Sequence, residues 1–286
     1  MLTPASTPQV IVDNQSRIIT VLAGKPTDDP SWAAAAEAAS TELIQAGRDI
    51  KSEGKNPFRR GIFPALAVGV SYGGGQKARV HHLSNLKVSL RLIASKAIKR
   101  IAGFGNSAFS FYAPKLHRFY AEHLDCLFEK HPELQRIFPR NVFPAATFNC
   151  GGRVFTVRHL DSANVSHGWC SIWAGGKFDP KKGGHMVLFD LKLVVEFPSG
   201  STVLIPSSTV SHGNVPIADG ETRVSFTQYC AGGLIRWVQH GFQPATQLLH
   251  AVRQRVNGPG TSRWVAALKL FSTLDSLVED RKSVFC

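Results

Sequence analysis

Between Phe143 and Tyr229 the chain is cut into short apolar runs by glycine, proline and serine clusters. That rhythm restricts it to an antiparallel β architecture. The runs fall at 143–148, 154–157, 169–175, 184–189, 193–197, 202–205 and 222–229. Strands this short, parted by turns such as Pro198-Ser199-Gly200, suit a closed sandwich or barrel. Three metal-binding side chains lie in the same stretch. His159 and Asp161 form an H-x-D triplet, and His212 follows about 50 residues later in VSHGN. Residues i and i+2 of a strand project from one side, so imidazole and carboxylate can converge on one ion. Two His and one carboxylate, with other positions left open, are the donors that suit non-haem Fe(II).

Eleven positions beyond His212 comes Arg223, in the segment TRVSF. Alternation puts Arg223 and Ser225 on one face of a strand. A guanidinium grips a carboxylate bidentately and the neighbouring hydroxyl adds a third hydrogen bond, which fits the far carboxylate of a dicarboxylate cosubstrate. Singly these features are weak, in a chain with 11 His and 20 acidic residues. A lone distal His is more often structural, and a lone Arg more often a surface ion-pair partner. Together, in this order and spacing, they resemble the Fe(II)/2-oxoglutarate dioxygenase superfamily. The resemblance implies an α+β protein with a double-stranded β-helix (jelly-roll or cupin-like) core. It also implies Fe(II) on His159, Asp161 and His212, 2-oxoglutarate on Arg223 and Ser225, and O2 as co-reactant.

The 286 residues carry a formal charge of +13, and it is unevenly spread. Residues 51–100 hold eleven Lys or Arg against one acid, Glu53. Such clustering is the footprint of a polyanionic partner, against the plainer reading of a solvated basic face. Lys77, Arg79, Lys87 and Arg91 are its candidates for contact with a phosphate backbone. No run of 18 apolar residues exists and no secretory leader is apparent, so neither a spanning helix nor a membrane partner is expected. The five cysteines are scattered with no C-x-x-C pair, which argues against a zinc ribbon or a disulfide scaffold and for a reducing compartment.

Elsewhere the pattern is helical. Asp29-Pro30 opens a helix running to about Lys51. A second is predicted over 84–100, with Leu86, Leu90, Ile93, Ala97 and Ile101 facing inward and Lys87, Arg91 and Lys99 outward. A third covers 110–130, and others cover 234–240, 245–256 and 262–279. Ala65 to Ser71 reads as a buried strand. Tyr72-Gly73-Gly74-Gly75-Gln76-Lys77 does not match a phosphate-binding loop. The expected organisation is an N-terminal helical and irregular segment (1–60), a catalytic domain (61–242, core 143–237) and C-terminal helices (243–286). A monomer is favoured.

A finer resemblance rests on the extended motif His159-Leu160-Asp161-Ser162-Ala163-Asn164 and on FNCGGRV, GGHMVLFDL, IPSSTVSHGN and GETRVSFTQYCAGGLIRW. This wording is similar to the TET/JBP-like branch expanded with DNA transposons in mushroom-forming fungi. It covers residues 60–242, best at 145–237, without the CXXC domain, the Cys-rich region or the J-base insert known elsewhere in that branch. The resemblance implies oxidation of the methyl group of a methylated base, 5-methylcytosine or N6-methyladenine. The base would be flipped from a DNA duplex, with Asn164 contacting it. Asn149 and Arg153 are candidates for lining the pocket, and a nuclear location follows. The alternatives are the same chemistry on a protein or small molecule, and a non-catalytic DNA-binding relic.

Overall fold

The computed structural model describes residues 7–50, 60–72, 78–80 and 85–286. After strands β1 (Gln9–Val12) and β2 (Ile18–Gly24) come helix α1 (Trp32–Asp49), β3 (Ala65–Tyr72) and β4 (Ala78–Val80). Helices α2 (Leu86–Ala94), α3 (Lys96–Tyr112) and α4 (Pro114–Lys130) follow. Seven strands then build the expected core: β5 (Ala145–Asn149), β6 (Cys170–Lys177), β7 (Met186–Leu188), β8 (Leu193–Val195), β9 (Thr202–Ile205), β10 (His212–Asn214) and β11 (Thr222–Tyr229). Helices α5 (Gly232–Gln239), α6 (His250–Asn257), α7 (Gly260–Leu268) and α8 (Leu277–Phe285) end the chain.

The large sheet runs β1-β2-β9-β6-β11-β5-β3-β4 and the small one β10-β7-β8. Backbone pairing of His159 with His212 adds the segment ahead of Asp161 to the edge of the small sheet. From β5 onward the chain alternates between the two sheets. β5, β6, β9 and β11 lie in the large sheet, and the 156–159 stretch, β7, β8 and β10 in the small one. That winding, with β11 held between β5 and β6, is a double-stranded β-helix.

Side-chain alternation sorts the strands' residues into two cores. Ile172, Ala174, Leu188, Val203 and Ile205 fill the space between the sheets. Trp173, Val224 and Phe226 point the other way and pack under α1, α2 and α3. Phe109 of α3 and Leu116, Tyr120 and Leu124 of α4 are buried in a further core. Gly47 of α1 rests directly on the backbone of Gly151, and a Cβ there would collide with the amide of Gly151. Neither backbone can yield easily, so Gly47→Ala is expected to cost about 1–3 kcal/mol, read as a lower thermal midpoint.

Five expectations change. The 110–130 helix begins only at Pro114, because Ala113 (φ −141°, ψ 61°) ends α3 and the proline opens α4. The 84–100 helix is two helices, because Ser95 is extended (φ −56°, ψ 128°) and its Oγ caps α3 by accepting from the Ile98 amide. The break resets the helical phase. Val88 and Leu92 are therefore the buried residues of α2, and Leu86 and Leu90 are exposed. The 262–279 helix is likewise interrupted. Phe271 is buried, and the carbonyl of Ser272 accepts from the amide of Ile18, so 271–273 runs against the start of β2. Residues 154–157 make single bridging hydrogen bonds rather than a regular strand. Finally, β1 and β2 are not a segment laid on the core, because β2 pairs with β9 and extends the large sheet.

Burial leaves a pH signature. His117, edge-on to Phe109, is pushed down to about 4 by burial, and His167 likewise, with the charge of His123 adding to the effect. Their unfolded counterparts titrate near ~6.5. As pH falls below that value the unfolded chain takes up protons first. Stability should therefore be full above about pH 6.5 and decline toward about pH 4, where this contribution stops changing. Urea denaturation across that range checks the sign.

Candidate metal centre

His159 and His212 face each other across the edge of the small sheet. Each amide donates to the other's carbonyl, at 3.0 Å both ways, and the two rings stand 4.3 Å apart. Each ring then uses Nδ1 on a carbonyl two residues back. His159 reaches that of Val157 (2.8 Å) and His212 that of Val210 (2.9 Å). A donor at Nδ1 leaves the Nε2 lone pair free, and the carbonyl that holds Nδ1 orients the ring as in metal-binding imidazoles. Burial lowers both pKa values, that of His159 to about 4 with the charge of His212 contributing, so both rings are neutral near pH 7.

Asp161 completes the set. Its amide donates to the carbonyl of Ser207 (2.9 Å), which fixes the turn leaving the small sheet. His159 Nε2 lies 3.7 Å from Oδ1, and His212 Nε2 lies 4.0 Å from Oδ2. All three donor atoms fall within 4.8 Å of one another. Donors meeting at right angles on an ion ~2.1 Å away stand about 3 Å apart, so a small inward adjustment suffices. The set fits a divalent ion bound on one face.

Arg223 and Ser225 share the inner face of β11. Arg223 is fully buried. Its Nη1 donates to the carbonyl of Val154 (3.0 Å) and its guanidinium stands 5.8 Å from the ring centroid of Phe197. Nε and Nη2 are buried with no hydrogen-bond partner among the described residues. Burial alone lowers its pKa, to about 10, so it stays charged at neutral pH. A buried cation with two idle donors lacks an anion, and a carboxylate is the group that matches it. The strand approaches closely here. Arg223 pairs with Gly176 at φ +117°, where a Cβ would strike the backbone of residues 222 and 223. One pleat nearer the metal, Ser225 Oγ accepts from Asn149 Nδ2 (2.9 Å).

A cavity of about 290 Å³ opens beside the three donors and Ser225, and Arg223 is buried behind its wall rather than on it. His159, Asp161, His212, Ser225 and Asn149 line it together. It also brings in residues that the sequence reading missed, chiefly Arg60. The Arg60 Nη2 lies 2.5 Å from Asp161 Oδ1, half-exposed at the cavity mouth. The contact is an ion pair without hydrogen-bond geometry, since Oδ1 has no hydrogen-bond partner. Thr147, Thr227 and Asn214 are further polar wall residues. Alternation along β5 and β11 carries a signal for the two threonines, whereas nothing local marks Arg60.

The other candidates lie elsewhere. Arg153 points to solvent and pairs with Asp219 (2.9 Å), on a segment that only bridges β11. Asn164 is absent from the wall of this cavity and lines a separate one beside α5 and α7. Its Nδ2 donates to Cys170 Sγ and Ser207 Oγ, both at 3.3 Å, so the amide braces the loop after Asp161. Asn164→Ala should accordingly melt earlier, by about 1 kcal/mol of lost stability. Lys87 and Arg91 sit on α2, over the outer face of the large sheet, and Arg91 is paired with Asp49 (2.5 Å). Lys77 and the side chain of Arg79 lie outside the described residues.

No family model matches the sequence, and no curated protein does. Among solved structures, NgTET1 in complex with 5mC DNA is similar at 12% identity, over 79% of this chain and 77% of that one, with a TM-score of 0.48. OsALKBH1 is similar at 12% identity, over 74% and 96%, with a TM-score of 0.41. A Pseudomonas putida prolyl-4-hydroxylase is similar at 15% identity, over 69% and 86%, with a TM-score of 0.35. The fold and metal centre described above stand on this chain's own strand order and donor atoms.

Proposed function

We propose that the chain is an Fe(II)- and 2-oxoglutarate-dependent dioxygenase of the TET/JBP-like kind, acting on the methyl group of a methylated DNA base. The carrying observation is the pairing of two incomplete sites in one barrel, a three-donor metal face and a buried guanidinium lacking its anion. Iron there, with 2-oxoglutarate and O2, supplies the oxidising power that converts a methyl group to hydroxymethyl while 2-oxoglutarate leaves as succinate and CO2.

The chain's own contribution is positional. Neutral His159 and His212 present lone pairs and Asp161 supplies the anionic donor. Arg60 competes with a cation for Asp161 Oδ1, so metal entry requires that guanidinium to yield. Arg223 takes the far carboxylate and Ser225, held by Asn149, adds a hydroxyl. The barrel walls keep Arg223 out of water, which strengthens its grip on an anion. A methyl group on a stacked base cannot enter a cavity of this size, so the base must leave the helix.

DNA as substrate is supported by the net charge of +13 and the H-x-D-x-x-N wording. With Asn164 turned into the loop, Thr227 on the cavity wall becomes the base-reading candidate, since the side-chain amide of Asn214 is held by Thr156 Oγ1 (3.0 Å) and the carbonyl of His185. A nuclear location accords with this reading. Among the described residues no helix is long and apolar enough to cross a membrane. The test is incubation of purified protein with Fe(II), 2-oxoglutarate and methylated duplexes, followed by mass spectrometry of the nucleosides. Oxidised methyl-base is expected. Succinate formation without any oxidised base would move the substrate to a protein or small molecule.

A further inference from the structure

From Thr222 to Leu274 the chain contains no Asp or Glu, yet it carries Arg223, Arg236, Arg253, Arg255, Arg263 and Lys269. Arg223 is inside the barrel; the other five are exposed. Among the described residues none of the five has a carboxylate partner, whereas Arg91 and Arg100 near the N-terminal helices are paired with Asp49 and Asp29. Free positive charge therefore lies on the C-terminal helices as well as at Lys87, Lys96 and Lys99 of α2 and α3, and the clustering at 51–100 does not reveal this second face.

That face adjoins the metal centre. A second cavity, of about 600 Å³, begins one residue beyond the ligand Asp161 and runs between its loop and helices α5 and α7. Ser162, His167, Arg236, Arg263 and Trp264 line it. Trp264 is 52% exposed, while Trp32, Trp169, Trp173 and Trp237 are each 3% exposed or less. An indole left in water costs free energy unless something covers it, and Arg236 and Arg263 line the same cavity. His167 Nε2, buried and without a hydrogen-bond partner, offers a further polar contact in the wall.

We propose that this cavity and the outer face of α6 and α7 form a groove for the DNA strand flanking the reacting base. Trp264 presents a stacking face for one unpaired base. Arg236 and Arg263 meet the adjoining phosphates, and Arg253 and Arg255 extend the track along α6. An aromatic plate sharing a cavity with cations matches a nucleotide, with its flat base and anionic link, whereas an acidic peptide would have no use for the plate. The inference rests on DNA being the substrate class, but not on which base is oxidised.

The test titrates the full chain with an unmethylated single-stranded oligodeoxynucleotide of about 12 nucleotides, following tryptophan fluorescence and anisotropy across a salt series. Stacking on the exposed indole should quench fluorescence. Trp264→Ala should abolish the quench and weaken binding roughly ten-fold, while Trp264→Phe should lose the quench and keep most of the affinity. The pair Arg253→Glu and Arg255→Glu should flatten the slope of log K against log salt by roughly one to two. DNA binding that ignores all these variants would overturn the proposal and leave the dioxygenase reading intact. Equal affinity for a polyglutamate peptide would overturn it in favour of an acidic partner. Absence of any DNA binding would overturn both. Trp264-dependent binding in a protein that oxidises no methylated base would uphold the groove and sink the proposed function alone.

Discussion

Asp161→Ala should leave a folded chain that turns over nothing. The carboxylate is the only anionic donor of the three, and it faces two neutral imidazoles. Without it, a dication would be held by two nitrogens with no charge compensation, beside the free guanidinium of Arg60. Mutation of groups that merely support metal ligands costs 10–100-fold in affinity or activity, so loss of a ligand should exceed ~100-fold. The protein itself should survive, because the backbone pairing of His159 with His212 and the anchor from the Asp161 amide to Ser207 do not use the side chain. Titration with Mn(II) as a redox-stable substitute reads the binding, and succinate release reads turnover. Wild-type-like Mn(II) affinity in this variant would remove Asp161 from the centre.

Arg223→Met should separate stability from cosubstrate binding. The guanidinium is fully buried, with Nε and Nη2 unmatched. A buried charge without its partner is a burden on the fold, and a similar-sized apolar side chain against Phe197 relieves it. The ligand-free variant should thus melt no lower than the parent, less the bond to the carbonyl of Val154. Binding of 2-oxoglutarate should suffer the opposite effect. A lost charge-assisted bidentate contact is worth about 1.5–3 kcal/mol, or roughly 10- to 150-fold in the 2-oxoglutarate requirement. In the parent, saturating 2-oxoglutarate with Mn(II) should raise the melting point through selective binding to the folded state. In Arg223→Met that rise should vanish. An undiminished thermal shift would mean that the cosubstrate does not reach Arg223.

The residues of β11 show why part of this was legible. Alternation through Thr222–Tyr229 places Arg223 and Ser225 together and turns Val224 and Phe226 to the helices, because two-residue periodicity is a local property of a strand. β10 is only three residues, His-Gly-Asn, with no strand propensity of its own, and it is held by pairing with β7. His212 was readable through its chemistry rather than its secondary structure. The α2–α3 phase was misread because one serine changed the helix axis, and hydrophobic spacing does not register a cap. Arg60 and the second cavity arise from tertiary approach between distant segments, which leaves no trace in spacing. Asn164 shows the converse. A motif position carried an expectation of ligand contact, and the side chain is spent on Cys170 and Ser207.

The two-way backbone clamp between His159 and His212 has a kinetic consequence. In small zinc modules the ion itself brings distant ligands together, so chelators unfold them. Here peptide groups close the loop joining the two imidazoles, so its closure does not draw on the metal-binding side chains. Metal exchange should therefore proceed on a rigid frame, as fast as ligands can shed an ion and without a folding step. Amide hydrogen exchange at positions 159 and 212 reads this directly. Both amides should be as slow to exchange in chelator as in the presence of Mn(II), marking the small-sheet edge as part of the scaffold that waits for its metal.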